Sequence, residues 1–452
     1  MRKSRRTRIA TFVATMLILL MLPTVPHQEV SASTTTGDWL QVDAGSNHSC
    51  GIKANFTLWC WGSNSEGQIG NGDPQRQICI GGASTPCRDK TKKLWSSVSA
   101  GNQYTCAIER TTLKLYCWGY NNYGKLGHRD VNSRGLRVDP SVPNEVEGGG
   151  KWASVAAGDT HTCAIKTDKS LWCWGRDDKG QLGNYFSDTS KPIPSRVSTA
   201  SAASWIDVDV ESKQSCAIAS TYVMYCWGQW GWVGAVQGSM SDTPSRVNQG
   251  AISYFRDWRS VATGRYHVCG IRASGALYCF GKNNAGQIGN GKDTDIQYPV
   301  QIVPTQKWSK VELGLDYSCA IKTNGQLWCW GDNYFGQPGQ YCGSEWVSSG
   351  PRMCDISNQA YPSPVREKTN SLGWATLDAG GFHTCAIKSS SKTSNRLFCW
   401  GQDTKAQLGF RYRSPMPGNI CTYTGYGDWD TNRLGPSECF LYSPPRIEVE
   451  NQ

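Results

Sequence analysis

The chain lacks the short motifs that usually mark catalysis. It has no HExxH, no GxSxG, and no glycine loop ending in Lys-Ser/Thr between a strand and a helix. Cysteine pairs at C-x2-C spacing, which would hold zinc, are missing as well. Histidine is scarce, with six among 452 residues. The formal net charge is +10, yet no run of Lys and Arg after residue 32 is long enough to form a nucleic-acid tract. These absences argue against a metalloenzyme, a serine hydrolase, a phosphate cradle and a nucleic-acid binder. The expectation is a non-enzymatic protein with no metal and no cofactor.

Long apolar runs are equally rare. The one run, Ile9 to Leu22, is short for crossing a bilayer. It follows Arg2, Lys3, Arg5, Arg6 and Arg8 and precedes the small-residue site Val30-Ser31-Ala32. Residues 1–32 therefore read as an export signal and 33–37 as a short linker. Cleavage would leave a secreted, extracytoplasmic chain with no membrane span; retention as an anchor is the alternative. Asn47-His-Ser and Asn55-Phe-Thr are glycosylation sequons if the host glycosylates.

Cysteine is abundant, at twenty residues, which fits an oxidising compartment. Fourteen recur as couples, Cys50/Cys60, Cys106/Cys117, Cys163/Cys173, Cys216/Cys226, Cys269/Cys279, Cys319/Cys329 and Cys385/Cys399. The other six form local couples, Cys79/Cys87, Cys342/Cys354 and Cys421/Cys439, so none is left over as a catalytic thiol.

The recurring unit is His161-Thr-Cys-Ala-Ile-Lys-Thr-Asp-Lys-Ser-Leu-Trp-Cys-Trp-Gly175. Place Cys163 opposite Cys173 on an antiparallel hairpin, and Ala164 falls opposite Trp172 while Ile165 meets Leu171. That register sets a small residue against a ring in all seven copies: Gly51/Trp59, Ala107/Tyr116, Ala164/Trp172, Ala217/Tyr225, Gly270/Tyr278, Ala320/Trp328 and Ala386/Phe398. Gly275 and Gly325 end three-residue loops, where a left-handed residue is needed. Opposed cysteines in such a hairpin lie close enough to bridge.

Each unit follows a Trp-x-x-Val-like strand that starts near residue 39, 95, 152, 205, 258, 308 or 374. After it come a glycine loop, Asn-x-x-Gly-Gln-Leu/Ile-Gly, and a Pro-x-x-Val-like strand. Four antiparallel strands per repeat of 50 to 66 residues predict an all-β, seven-bladed β-propeller over residues 38–450. Ser443-Pro-Pro-Arg-Ile-Glu-Val449 has no repeat after it, and no such strand precedes Trp39. This C-terminal strand is expected to pair into the first blade and close the ring. His48, His161, His267 and His383 sit at one repeat position, held elsewhere by Tyr104, Gln214 and Tyr317, which points to a structural hydrogen-bonding slot.

Trp-x-x-Val, Ala-Gly, His-x-Cys-Ala-Ile, Leu-Trp-Cys-Trp-Gly and Gly-Gln-Leu-Gly together resemble the regulator of chromosome condensation repeat. The resemblance covers nearly all of residues 38–449 and implies a seven-bladed propeller engaged in protein recognition. The hairpin cysteines depart from nuclear members and are closer to extracellular relatives such as crinkly-type receptor ectodomains. Relatives include a nuclear exchange factor and a secreted β-lactamase inhibitor. Exchange activity is not carried over, because the signal and the disulfides separate this chain from a nuclear GTPase. No matched residues support hydrolase inhibition.

Long insertions follow the glycine loop at 71–94, 128–142, 340–366 and 410–442. They occupy one topological place, so they should emerge on one face. They carry residue types favoured at binding hot spots: Trp346, Arg352, Arg411, Tyr412, Arg413, Tyr423, Tyr426, Trp429 and Arg433. The expected function is binding of an extracellular or cell-surface protein through this face. Glycan binding is the alternative, although a lectin would usually repeat its site around the ring.

Overall fold

Each repeat folds into one antiparallel sheet in the computed structural model, which describes residues 39–74, 87–129, 139–184, 189–197, 204–229, 241–247, 255–339, 360–366, 372–389, 395–402, 404–408, 421–422 and 438–441. The first sheet takes Trp39–Ala44, His48–Lys53, Leu58–Gly62 and Cys87–Arg88 in sequence order. Five further four-stranded sheets follow the same order, and the last, begun by Trp374–Ala379, adds a fifth strand. The first strands of successive blades touch one another around the ring, including the last against the first. They form the inner wall, and the fourth strands lie outermost except in the last blade, where the fifth strand lies beyond the fourth. The architecture is the expected seven-bladed propeller.

The hairpin register is the one the repeats imply. Cys163 faces Cys173, Ala164 faces Trp172 and Ile165 faces Leu171. The other six hairpins pair their cysteines and small/ring couples the same way. Disulfides join Cys50 to Cys60, Cys106 to Cys117, Cys163 to Cys173 and Cys216 to Cys226. They also join Cys269 to Cys279, Cys319 to Cys329 and Cys385 to Cys399. In all seven the Cα atoms stand 4.1 Å apart. The small residue has a second reason to be small. A Cβ on Gly51 would lie 2.5 Å from the Trp39 ring, so the first-strand tryptophan occupies that space. Gly275 and Gly325 take φ of 81° and 78°, as their turns require.

Packing between blades forms the core. Cys50, Ile52, Leu58 and Ile69 of the first blade pack with Trp95, Val98 and Trp118 of the second, and comparable clusters fill other seams. The hairpin tryptophans fall into two classes. Trp61, Trp118, Trp174, Trp227, Trp330 and Trp400 are at most 1% exposed. Trp59, Trp172 and Trp328 are half-buried beneath the ammonium groups of Lys53, Lys166 and Lys322.

Three insertion ranges include strands. Cys87–Arg88, Ala360–Arg366 and Glu438–Leu441 are the fourth strands of the first, sixth and seventh blades, and Cys421–Thr422 is the added fifth strand. Residues 443–449, expected to complete the first blade, lie outside the described residues. The four strands of that blade all come from residues 39–88. Glu438–Leu441, just before the expected closing strand, pairs with Asn395–Gln402 in its own blade.

Candidate functional site

Chain direction defines two faces. First-to-second turns and third-to-fourth connections share one end of the strands. Hairpin loops and the links between blades share the other. The glycine loops and the roots of all four insertions therefore lie on one insertion face.

All nine predicted partner-binding residues, Trp346, Arg352, Arg411, Tyr412, Arg413, Tyr423, Tyr426, Trp429 and Arg433, lie outside the described residues, as do Cys79, Cys342 and Cys354. Cys87 is disulfide-bonded. Cys421 stands directly opposite Cys439 in an antiparallel pair, the register their expected bridge needs.

The hairpin cysteines belong to the fold and not to a functional site. Cys50, Cys106, Cys163, Cys216, Cys269, Cys319 and Cys385 on the second strands are wholly buried. Their partners Cys60, Cys117, Cys173, Cys226, Cys279, Cys329 and Cys399 on the third strands are buried as well. Each sulfur is bonded within its own blade, so none presents a nucleophile or a metal ligand.

The support beneath the insertion face is a hydrogen-bond relay at the blade seams. His48 Nε2 lies 2.8 Å from Thr105 Oγ1, and that hydroxyl donates to the Gln68 carbonyl of the preceding blade's glycine loop. With its proton committed, the hydroxyl accepts from a neutral, Nε2-protonated histidine. Trp118 Nε1 donates to the same carbonyl. His161 with Ser215, and His267 with Ser318, repeat the arrangement. His383 reaches Ser49, whose hydroxyl donates to the Gln407 carbonyl, at the seam between the last blade and the first. Tyr104 and Tyr317 hold the slot at two more seams. Burial pushes the four histidines down to a pKa of about 3. They are structural residues, in agreement with the repeat position.

One seam departs from the pattern, in a way single residues do not reveal. Between the fourth and fifth blades, Val268 replaces the hydroxyl and Phe280 replaces the tryptophan. Gln214 instead donates to the backbone carbonyls of Gly264 and His267. The matching glycine loop is missing from residues 229–240. Val268 and Phe280 bring no side-chain donor to this position, and Gln214 supplies hydrogen bonds across the seam instead.

Several aromatic rings rise on the insertion face. Tyr120, Tyr123 and Tyr334 are 40%, 37% and 37% exposed. Arg176 lies over Tyr123, and Tyr334, Phe335 and Phe382 form a chain of edge-on contacts at the seam of blades six and seven. Tyr123, Tyr334 and Phe335 occupy the x positions of Asn-x-x-Gly, where other glycine loops hold Ser65-Glu66, Asp178-Lys179 or Asn284-Ala285. Aromatic residues appear there only in repeats with long insertions, a signal open to sequence reading that the insertion residues overshadowed.

The inner wall is acidic. Asp43, Asp207, Asp209 and Asp378 accept hydrogen bonds from the next blade's backbone at Ala100, Val261, Thr263 and Ala44. Burial raises Asp43 to about 8, Asp207 to about 6 and Asp209 to about 7, and it lifts Asp378 and Glu211 well above the usual carboxylate range. Glu211 and the Ala-Gly turns line a recess at the insertion-face mouth of the ring. Among the described residues no group of three His, Cys, Asp or Glu is placed to hold a metal ion.

The regulator of chromosome condensation (RCC1) repeat matches residues 57–108, 114–165, 168–218 and 274–321. A second form of the repeat matches 39–68, 152–181, 258–287 and 308–337. The Arabidopsis thaliana ultraviolet-B receptor UVR8 is 27% identical over 374 residues, covering 82% of this chain and 78% of UVR8. Human E3 ubiquitin-protein ligase HERC2 is 27% identical over 274 residues, 59% of this chain but 5% of that protein. In solved structures, human WBSCR16 superposes with TM-score 0.64 at 17% identity, over 78% of this chain and 88% of its own. Yeast RCC1 (Prp20), bound to Kap60, gives 0.65 at 19%, over 87% and 83%. These two structures share the fold.

Proposed function

The chain belongs to the RCC1 repeat family, and from that premise we propose that it is an exported, non-enzymatic scaffold that binds a protein through its insertion face. The observation that carries this reading is the asymmetry of the ring. Among the described residues, exposed rings replace polar loop residues in the second and sixth repeats, which both carry long insertions on the same face. Trp346, Trp429 and Arg433 of the insertions are proposed to add to the same surface. Interface energy usually concentrates in a few Tyr, Trp and Arg residues. Export is supported by the seven hairpin disulfides and by the signal-like composition of residues 1–32, a basic start followed by an apolar run. No helix among the described residues is long and apolar enough to cross a membrane.

The test compares capture from native culture medium by wild-type bait and by a Tyr120→Ala/Tyr123→Ala/Tyr334→Ala variant. Each substitution is expected to weaken a captured partner by about 1–3 kcal/mol without lowering the melting temperature. Undiminished capture by the triple variant would move the site elsewhere. A parallel glycan array with a strong, repeated-site response would favour the lectin alternative instead.

A further inference from the structure

The hairpin face carries a second surface that the overall charge conceals. Exposed cations recur on it: Arg110, Lys114 and Lys169 on hairpins, Lys151 and Lys307 on links, and Arg259 beside its first-strand tryptophan. Glu145 offsets Lys114 in an ion pair. The links lie against the hairpins, since Thr167 and Thr323 donate backbone hydrogen bonds to the carbonyls of Lys151 and Lys307. On the described hairpin loops the exposed carboxylate is Asp168 alone. Beneath this layer, Lys53, Lys166 and Lys322 stand 4.4, 4.3 and 3.6 Å from tryptophan ring centres, so their stems cover apolar surface while their charges add to the face.

Apolar side chains stand among these cations. Leu94, Ile206, Tyr222 and Leu372 are 39%, 37%, 41% and 56% exposed, and all four lie at the hairpin end. The Arg259 guanidinium covers one side of Tyr222. The exposed cations and the exposed apolar side chains thus share one end of the ring.

We propose that the hairpin face docks peripherally on an anionic lipid bilayer. A soluble polyanion would use the cations and leave Leu94, Ile206 and Leu372 exposed to water. A bilayer interface accepts both, taking the aliphatic and tyrosyl side chains at headgroup depth and the cations against anionic lipid. The cations and apolar side chains gathered at the hairpin end orient that face toward the membrane. The insertion face then points outward. This placement is independent of which partner that face binds.

The test is co-sedimentation of the oxidised protein with phosphatidylcholine vesicles, with and without phosphatidylglycerol, at low and high salt. Binding is expected only with the anionic lipid and should weaken as salt rises. Lys151→Glu/Lys169→Glu/Lys307→Glu should lower the partition coefficient about a hundredfold. Leu94→Ser/Leu372→Ser should lower it severalfold at unchanged net charge. Lys179→Glu/Lys213→Glu/Lys405→Glu, on the insertion face, should leave most of it intact. Melting temperatures check that each variant folds. Equal losses from both charge-reversal triples would reduce the effect to net charge and overturn the proposal. So would absence of vesicle binding, or tight heparin binding with vesicle partition insensitive to the leucine pair.

Discussion

At the scale of single residues, the same side chain type does different work in adjacent positions. Trp172 and Trp174 are two residues apart on one strand, yet their surroundings differ. Trp174 is fully buried and donates to the Lys125 carbonyl, whereas Trp172 lies half-buried under Lys166. Trp174→Ala should therefore cost about 3–5 kcal/mol, the usual range for a buried aromatic, and Trp172→Ala less. Urea denaturation of the two variants checks the order; equal losses would erase the distinction. Ser215 links His161 to the Gln181 carbonyl. Ser215→Ala should leave the histidine donor unpaired and cost about 1–3 kcal/mol.

At the scale of elements, the hairpin is the unit that repeats and the seam is the unit that stabilises. Each rung disulfide joins cysteines ten to fourteen residues apart, from Cys50–Cys60 at ten to Cys385–Cys399 at fourteen. In the chain-entropy model such a loop is worth about 2–3 kcal/mol. Replacing both Cys216 and Cys226 by serine should lower stability by about that amount while the other rungs hold their blades. Chemical denaturation of the variant measures it, and an unchanged midpoint would show that the unfolded chain gains little freedom from the break. The seam between the fourth and fifth blades illustrates coupled substitution. Gln214 lies more than fifty residues before the Val268/Phe280 pair, yet all three change together in the one repeat junction whose preceding sequence lacks the glycine-loop motif.

For the whole molecule, buried carboxylates and buried histidines set opposing pH limits. Asp43, Asp207 and Asp209 titrate near 8, 6 and 7 when folded, and their stabilising contribution, complete below about pH 4, is lost as pH rises through those values. The four seam histidines are lowered to about 3, so their contribution, complete above about pH 6.5, is lost as pH falls. Between those limits the two slopes oppose each other. Above pH 6.5 the histidine slope has ended, and Lys125, lowered to about 8 by burial, opposes the carboxylates only around and above that value, so the melting temperature should fall from pH 6.5 to 8. Asp209→Asn should flatten that limb, and His161→Gln the acid limb. A melting temperature that rises across that range would contradict the assignment.

The sequence by itself determined the repeat, its register and the number of blades. Paired cysteines, small/ring couples and turn glycines are local features, and period two leaves one consistent pairing for each hairpin. It also marked the histidine slot as structural, because one position recurring in separate blades cannot converge on a metal. The short outer strand Cys87–Arg88 stayed hidden, since two residues carry no periodicity. Charge placement was equally illegible. Lysines and arginines spread thinly along the chain show no run, yet the propeller returns every hairpin to one face and gathers them there. The same return brings Asp43, Asp209 and Asp378 onto one inner wall, where burial shifts their ionisation. The seam relay needs residues about fifty positions apart, such as His161 and Ser215, to meet. Local pattern cannot report such contacts, because they exist only once neighbouring blades pack.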